Sequence, residues 1–176
     1  DRILRNATKA PSAGFSQGWA FLALEGPEQT GVFWECCNEG MAPSRREGVG
    51  AAPVIILPLS HKAAYLERYS RPDKVAFGMG DEKNWPVPYW DIDVAMASMS
   101  MLLTCVDEGL GALFFGIFAG EKELMKRLGI PDAYKPIGAI ALGWPAPDDR
   151  PSGSPSTVGR RPKTETLHYG RWSGTR

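Results

Sequence analysis

The residues best suited to chemistry by type and spacing lie in one short segment, Pro11-Ser12-Ala13-Gly14-Phe15-Ser16-Gln17-Gly18-Trp19. A proline closes a helical pattern, and a turn of small residues then leads into an aromatic-rich strand. Small side chains let a backbone come close to a flat ligand, and the N–H groups of such a turn can hydrogen-bond an acceptor-rich ring. The same residues also describe an ordinary helix-to-strand turn in which Gly14 takes a positive φ. Local chemistry leaves both readings open. A second concentration is Trp85-Pro86-Val87-Pro88-Tyr89-Trp90. Trp85, Tyr89 and Trp90 can form an aromatic wall or lid that selects flat substrates, or a hydrophobic plug that fixes the entry of the next helix.

No other constellation competes. His61 and His168 lie far apart without a partnered Ser or Cys motif, and no hydrolase signature is present. Cys36, Cys37 and Cys105 show neither disulfide-framework nor metal-site spacing, and they read as reduced packing residues. Met96, Met99 and Met101 read as core packing. Gly109-Leu110-Gly111 closes a helix instead of opening one after a strand, so it is no dinucleotide fingerprint.

The elements that must position these residues follow from periodicity and punctuation. Ile3, Leu4, Ala7 and Ala10 recur at helical spacing up to Pro11. Residues 18–24 predict a buried strand, and 28–40 a short helix with Gly40 beyond it. Residues 53–59 form a β-branched run bounded by prolines, which predicts a central strand. Residues 61–68 predict one or two helical turns, and 69–90 a long irregular stretch of the kind that carries function. Asp91 is the expected N-cap of a helix over 91–108, with Asp93 favouring its positive end. That helix is apolar nearly all round, so it should be buried on every side, either centrally or between subunits. A second buried strand is expected over 112–118, a surface helix over 121–128 and a third strand over 137–144. The Pro-, Gly- and Ser-rich tail from Pro145 cannot bury a core of its own and reads as a wrapping arm or a disordered segment. Alternating strands and helices predict one α/β or α+β domain over 1–176.

Composition narrows the function classes. The chain has 176 residues, 43% hydrophobic and 23% charged, as expected of one globular domain. Twenty basic residues balance twenty acidic ones, so no global field recruits nucleic acid or an anionic membrane. The basic stretch from Arg160 to Arg176 could still form a local anion site. The longest apolar run, 92–106, is interrupted by polar residues and is shorter than the roughly 20 residues a membrane span needs. Reduced thiols point to the cytoplasm.

Ala10 to Trp19 resembles the turn of the nitroreductase family, usually written Ala-Pro-Ser-x-x-Asn-Ser-Gln-Pro-Trp. That turn follows a helix of pattern Ile-Leu-x-x-Ala-x-x-Ala, here Ile3 to Ala10. Later landmarks fall in the family's order. The 91–108 helix with its Gly109-Leu110-Gly111 stop is similar to the family's interface helix. Phe114-Phe115-Gly116-Ile117-Phe118 follows directly. Lys135 to Pro145 resembles the last core strand, and Arg160-Arg161-Pro162 with Leu167 to Trp172 resembles the C-terminal signature.

The resemblance implies an α+β three-layer sandwich, with a central mostly antiparallel sheet flanked by helices, a long buried interface helix and an extended C-terminal arm. It implies a homodimer with FMN in each interface cleft, reduced by NAD(P)H and oxidised by an electron-poor aromatic acceptor, a nitro compound or a quinone, in ping-pong fashion. A deazaflavin donor is an alternative to NAD(P)H. Flavin N5 would carry the chemistry, with no catalytic side chain required. Pro11, Ser12, Ala13 and Phe15 would line the isoalloxazine or ribityl chain. Phe115, Gly116, Ile117 and Phe118 would approach it from the other subunit, and Arg160 or Arg161 would clamp the phosphate. For the arginine pair, a solvated basic tail is the alternative. The family's N-terminal Arg-Arg-Ser-x-Arg arm would lie before Asp1, so a preceding segment is expected. Phe15 stands where the family has Asn, and Gly18 where it has Pro. The crowd of aromatics at 85–90, together with Phe15, also fits a flavin-binding or flavin-sequestering protein with little turnover.

Overall fold

The computed structural model describes residues 1–37, 39, 48–147 and 154–172. Its contacts gather into two units, Asp1–Pro145 and Ala146–Arg176.

The first unit is built on an antiparallel sheet. Strands β1 (Trp19–Glu25), β2 (Val54–Ser60), β3 (Gly111–Phe115), β4 (Lys135–Pro136) and β5 (Ala139–Gly143) are arranged in the order β1-β2-β5-β3, with β4 pairing β2. Strand β2 is central, as its proline-bounded β-branched run predicts; Leu57 lies opposite Leu22, and Ile56 opposite Ile140. Side chains alternate across a strand, so each strand feeds both faces. Leu24, Ile55, Leu57, Leu59, Ala139 and Ala141 point to one core, and Ile56, Ile140 and Leu142 to the other. On the first face lie helices α2 (Gly26–Cys36) and α5 (Glu121–Arg127), through Phe33 and Leu124. On the second lie α1 (Arg2–Ala7) and α4 (Tyr89–Asp107), through Ala7, Ala97, Met101 and Cys105. Helix, sheet and helix make the expected sandwich. Each fully buried Ile, Leu or Phe contributes about 1.5–3 kcal/mol. Helix α3 (Lys62–Tyr69) follows β2, and α1 is tied to α4 by Arg2 with Asp107 and by Asn6 Nδ2 donating to Thr104 Oγ1 at 3.1 Å.

Several expectations need correction. Helix α4 begins at Tyr89, because the Pro88 carbonyl already accepts from the N–H groups of Asp91 and Ile92; Asp91 therefore sits in the first turn and is not the N-cap. Nor is α4 buried on every side within the chain. One face packs on the sheet and on α1, whereas Ile92, Met96, Met99, Leu103 and Val106 are exposed along the other. The second strand stops at Phe115 and lies at an end of the described sheet, with alternate residues exposed; Phe118 is 86% exposed. The third strand starts only at Ala139, since Gly138 holds φ +153 where a Cβ would sit 2.7 Å from the Phe115 carbonyl oxygen. Helix α2 starts two residues early with Pro27 in its first turn, and the expected Gly40 stop lies outside the described residues.

In the second unit, α6 (Ser154–Thr157) and α7 (Lys163–Thr166) are single turns. Arg161 Nε donates to Glu165 Oε2 at 3.3 Å, and the rings of His168 and Trp172 stack with centroids 4.0 Å apart.

Candidate functional site

The turn after α1 is held in an unusual conformation. Ser12 is extended, and Ala13–Phe15 forms a 3-10 turn in which Gly14 lies at φ +60. Phe15 at φ +56 and Gln17 at φ +50 are also left-handed, a conformation costly for residues with a Cβ. Such residues store about 1–3 kcal/mol each and persist only where the surroundings over-determine them.

Those surroundings are visible. Ser12 Oγ accepts from the Gln17 N–H at 3.0 Å, and the Ser12 carbonyl accepts from the Phe15 N–H at 2.9 Å. The Ser16 hydroxyl donates to the Ala13 carbonyl at 2.6 Å. From α4, Asp93 Oδ2 accepts from the Ala13 N–H at 2.8 Å and from the Tyr65 hydroxyl at 2.8 Å. From α3, Arg68 Nε donates to the Gly14 carbonyl at 2.9 Å, while its two terminal nitrogens grip Asp73 at 2.9 and 2.7 Å. Asp93, 1% exposed, thus directs its Oδ2 to the turn and to Tyr65. The buried Tyr65 hydroxyl is pushed far above the ordinary tyrosine range, first by desolvation and then by its hydrogen bond to Asp93 and that carboxylate's charge. The Arg68 guanidinium holds Asp73 below the usual carboxylate range.

Gly18 has a steric reason. A Cβ there would lie 2.4 Å from Tyr65 Cε2 and 2.8 Å from the His61 carbonyl oxygen, so a proline at this position would collide with the tyrosine under the turn. Phe15, at the position of the family's Asn, is 74% exposed. It borders an open groove of about 590 Å³ between the turn and α3, with Gln17, Ala64, Arg68 and Arg71 among its lining.

The remaining sequence-selected residues fall in different places. Pro11 is exposed and Ser12 half-buried beside the turn. Phe115 belongs to the core, stacked on Trp34 at 6.0 Å with parallel planes and edge-on to Phe33. Beyond it, the N–H groups of Gly116, Ile117 and Phe118 donate no turn or loop hydrogen bond to a backbone carbonyl among the described residues. The Phe118 ring lies over Gly116, where a Cβ would come within 2.7 Å of it. Trp85 is buried, donates from Nε1 to the Met79 carbonyl at 2.6 Å and meets Tyr65, Tyr69, Tyr89 and Trp90 at ring distances of 4.9–5.9 Å. It fastens the long 70–88 stretch over Tyr65. Tyr89 and Trp90 are half-buried around it, with Lys62 Nζ 5.8 Å above the Trp90 ring. Arg160 and Arg161 are exposed in the second unit. Sequence reasoning missed Tyr65, Arg68 and Asp73 altogether and gave Asp93 a different role. The one available signal was an acidic residue inside an otherwise apolar helix.

Among the described residues, no helix is long and apolar enough to cross a membrane. Comparison with known proteins gives concordant results. An Archaeoglobus fulgidus protein named "Putative NADH dehydrogenase/NAD(P)H nitroreductase" is 27% identical over 149 residues, 82% of this chain and 71% of its own length. The structure of "a putative nitroreductase in complex with FMN" from Exiguobacterium sibiricum superposes with a TM-score of 0.70 at 20% identity, over 96% of this chain and 84% of that one. An FMN-dependent nitroreductase from Clostridium difficile superposes at 0.66 and 17% identity, over 98% and 86%. At these identities the two structures speak for the fold. The family model described as the nitroreductase family matches residues 1–144, most of the chain, and the chain therefore belongs to the nitroreductase family.

Proposed function

We propose that this protein is an FMN-dependent oxidoreductase working as a homodimer. The observation that carries the reading is the Pro11–Gln17 turn, a backbone arch pinned from below by Asp93 and from the side by Arg68, with a flat ring at its crest. The N–H groups of Gly116, Ile117 and Phe118, which donate no turn or loop bond to a backbone carbonyl among the described residues, suit the acceptor-rich edge of an isoalloxazine, and the exposed Phe15 suits its face. Pro11, Ser12 and Ala13 would line the ring or its ribityl chain. Because the Ala13 N–H is committed to Asp93, the Ala13 contribution is one of shape. Arg160 or Arg161 would hold the phosphate, a bidentate task suited to guanidinium.

When bound, FMN would accept hydride from NAD(P)H and deliver reducing equivalents to an electron-poor aromatic, a nitro compound or a quinone, in a ping-pong sequence. The chain's own residues then position and exclude. Phe15 limits what can lie against the cofactor, and Tyr89 and Trp90 border the approach of flat substrates, while Trp85 anchors both from beneath. The named relatives support a flavin and a nicotinamide donor.

The second subunit is supported by α4. Its exposed Ile92, Met96, Met99, Leu103 and Val106 recur at intervals of four, three, four and three residues, a coiled-coil-like seam. A further reading, a flavin-binding protein with little turnover, is favoured by the exposed Phe15 ring, which could cap the cofactor. Purification followed by absorption spectroscopy and steady-state assays separates the readings. A yellow dimer that oxidises NAD(P)H in the presence of quinones or nitroaromatics supports the enzyme. Stoichiometric flavin binding without turnover supports the binding protein, and a protein that takes up no FMN rejects both.

A further inference from the structure

We infer that Arg68, braced by Asp73, is a positioning residue for the flavin: it orients the Gly14–Phe15 peptide so that the Phe15 ring is presented to the cofactor. The inference rests on the FMN reading above. A peptide group is planar, so fixing the Gly14 carbonyl oxygen also fixes the Phe15 N–H and the start of the Phe15 side chain. Arg68 Nε holds that oxygen at 2.9 Å, and the other face of the guanidinium fork is closed on both oxygens of Asp73. This geometry leaves the arginine few alternative directions. One residue earlier, Asp93 holds the N–H of the Ser12–Ala13 peptide, so the peptide groups on either side of the Ala13–Gly14 unit are gripped from two different helices.

The need for such a grip follows from Phe15 itself. Glycine and asparagine enter the left-handed region readily, whereas an aromatic residue does not. Phe15 nevertheless sits at φ +56 while 74% exposed, so local packing of its side chain does not hold it there. The backbone grip does. Arg68 is therefore predicted to act on flavin through Phe15, without touching it.

The test uses the full chain, titrated with FMN by fluorescence, with the visible spectrum of the bound flavin recorded and thermal melts as a folding control. Arg68→Met should weaken FMN binding about tenfold or more and move the bound spectrum toward that of free FMN. Arg68→Lys, which can still donate to the Gly14 carbonyl, should recover most of both. Asp73→Asn should fall between them, and Arg127→Met, which breaks an ion pair between α5 and Glu35 on α2, should match the wild type. A folded Arg68→Met protein with wild-type affinity and spectrum overturns the inference while leaving the FMN reading intact. Should Arg68→Met fail to fold, wild-type affinity and spectrum in Asp73→Asn overturn it equally. A wild-type chain that binds no FMN removes the cofactor reading and this inference with it.

Discussion

Tyr65 on α3 donates its hydroxyl to Asp93 on α4 across 2.8 Å, and both side chains are buried. The same carboxylate oxygen receives the Ala13 N–H, so one buried charge joins two helices and the turn. A buried carboxylate is tolerable only when it is hydrogen-bonded. Removing the tyrosine hydroxyl in Tyr65→Phe should cost about 1–3 kcal/mol, the usual penalty for stranding a buried polar group. In a chain of this size that corresponds to a fall in melting temperature of roughly 2–4 °C per kcal/mol. An unchanged melting temperature would falsify the view that Asp93 depends on this partner.

Alkaline pH should destabilise the fold. The folded state raises the Tyr65 hydroxyl above its ordinary value and raises the Cys37 thiol, chiefly by burial, from 9.0 to about 11. For groups raised on folding, the stabilisation is complete below the unfolded value and is lost as pH climbs through the folded one. Stability should therefore decline from about pH 9 as Cys37 begins to favour the unfolded state, and more steeply above the ordinary tyrosine value of about 10. Melting temperatures of wild type, Cys37→Ala and Tyr65→Phe between pH 7 and 11 check this. Each variant should show a shallower alkaline decline than the wild type.

Gly18→Ala should destabilise through a clash and not through φ, since the added Cβ would meet Tyr65 Cε2 at 2.4 Å. Overpacking of a rigid site typically costs about 1–3 kcal/mol. Urea unfolding measures it, and a neutral result would mean that the Tyr65 ring can swing aside.

The exposed seam on α4 makes a prediction about assembly. Leu103→Glu combined with Val106→Glu places two charges on its outer face without touching the packed side. Light scattering should show the wild type as a dimer and the double variant as a monomer. Wild-type protein already monomeric at micromolar concentration would argue against the seam as a subunit contact.

Replacing Arg160 and Arg161 together with Ala should weaken FMN binding by about 1.5–3 kcal/mol for each charged hydrogen bond lost. Flavin titration of the double variant decides the point. Equal dissociation constants would return the pair to a solvated basic tail.

What the sequence determined by itself was everything carried by local pattern and punctuation. The proline-bounded run at 53–59, observed as Val54–Ser60, had to be a central strand, because continuous β-branched apolar residues cannot face water on either side. Pro11 and the small residues after it had to make a turn, and the order of landmarks from Ile3 onward placed the chain in its family. Tertiary structure decided what reaches across distance. Whether α4 is buried on both faces depends on what packs against it, which its own composition cannot specify. Strand β3 ends at Phe115 instead of Phe118 because strand length is set by the pairing partner, and β5 begins only at Ala139. Most of all, Asp93 and Arg68 lie 80 and 54 residues from the turn atoms they hold. Their charges read as surface or helix-end features until the fold brings them beneath Ala13 and Gly14. The turn at Pro11–Trp19 was legible as a turn, but the strained arch that displays Phe15 exists only because two helices grip it.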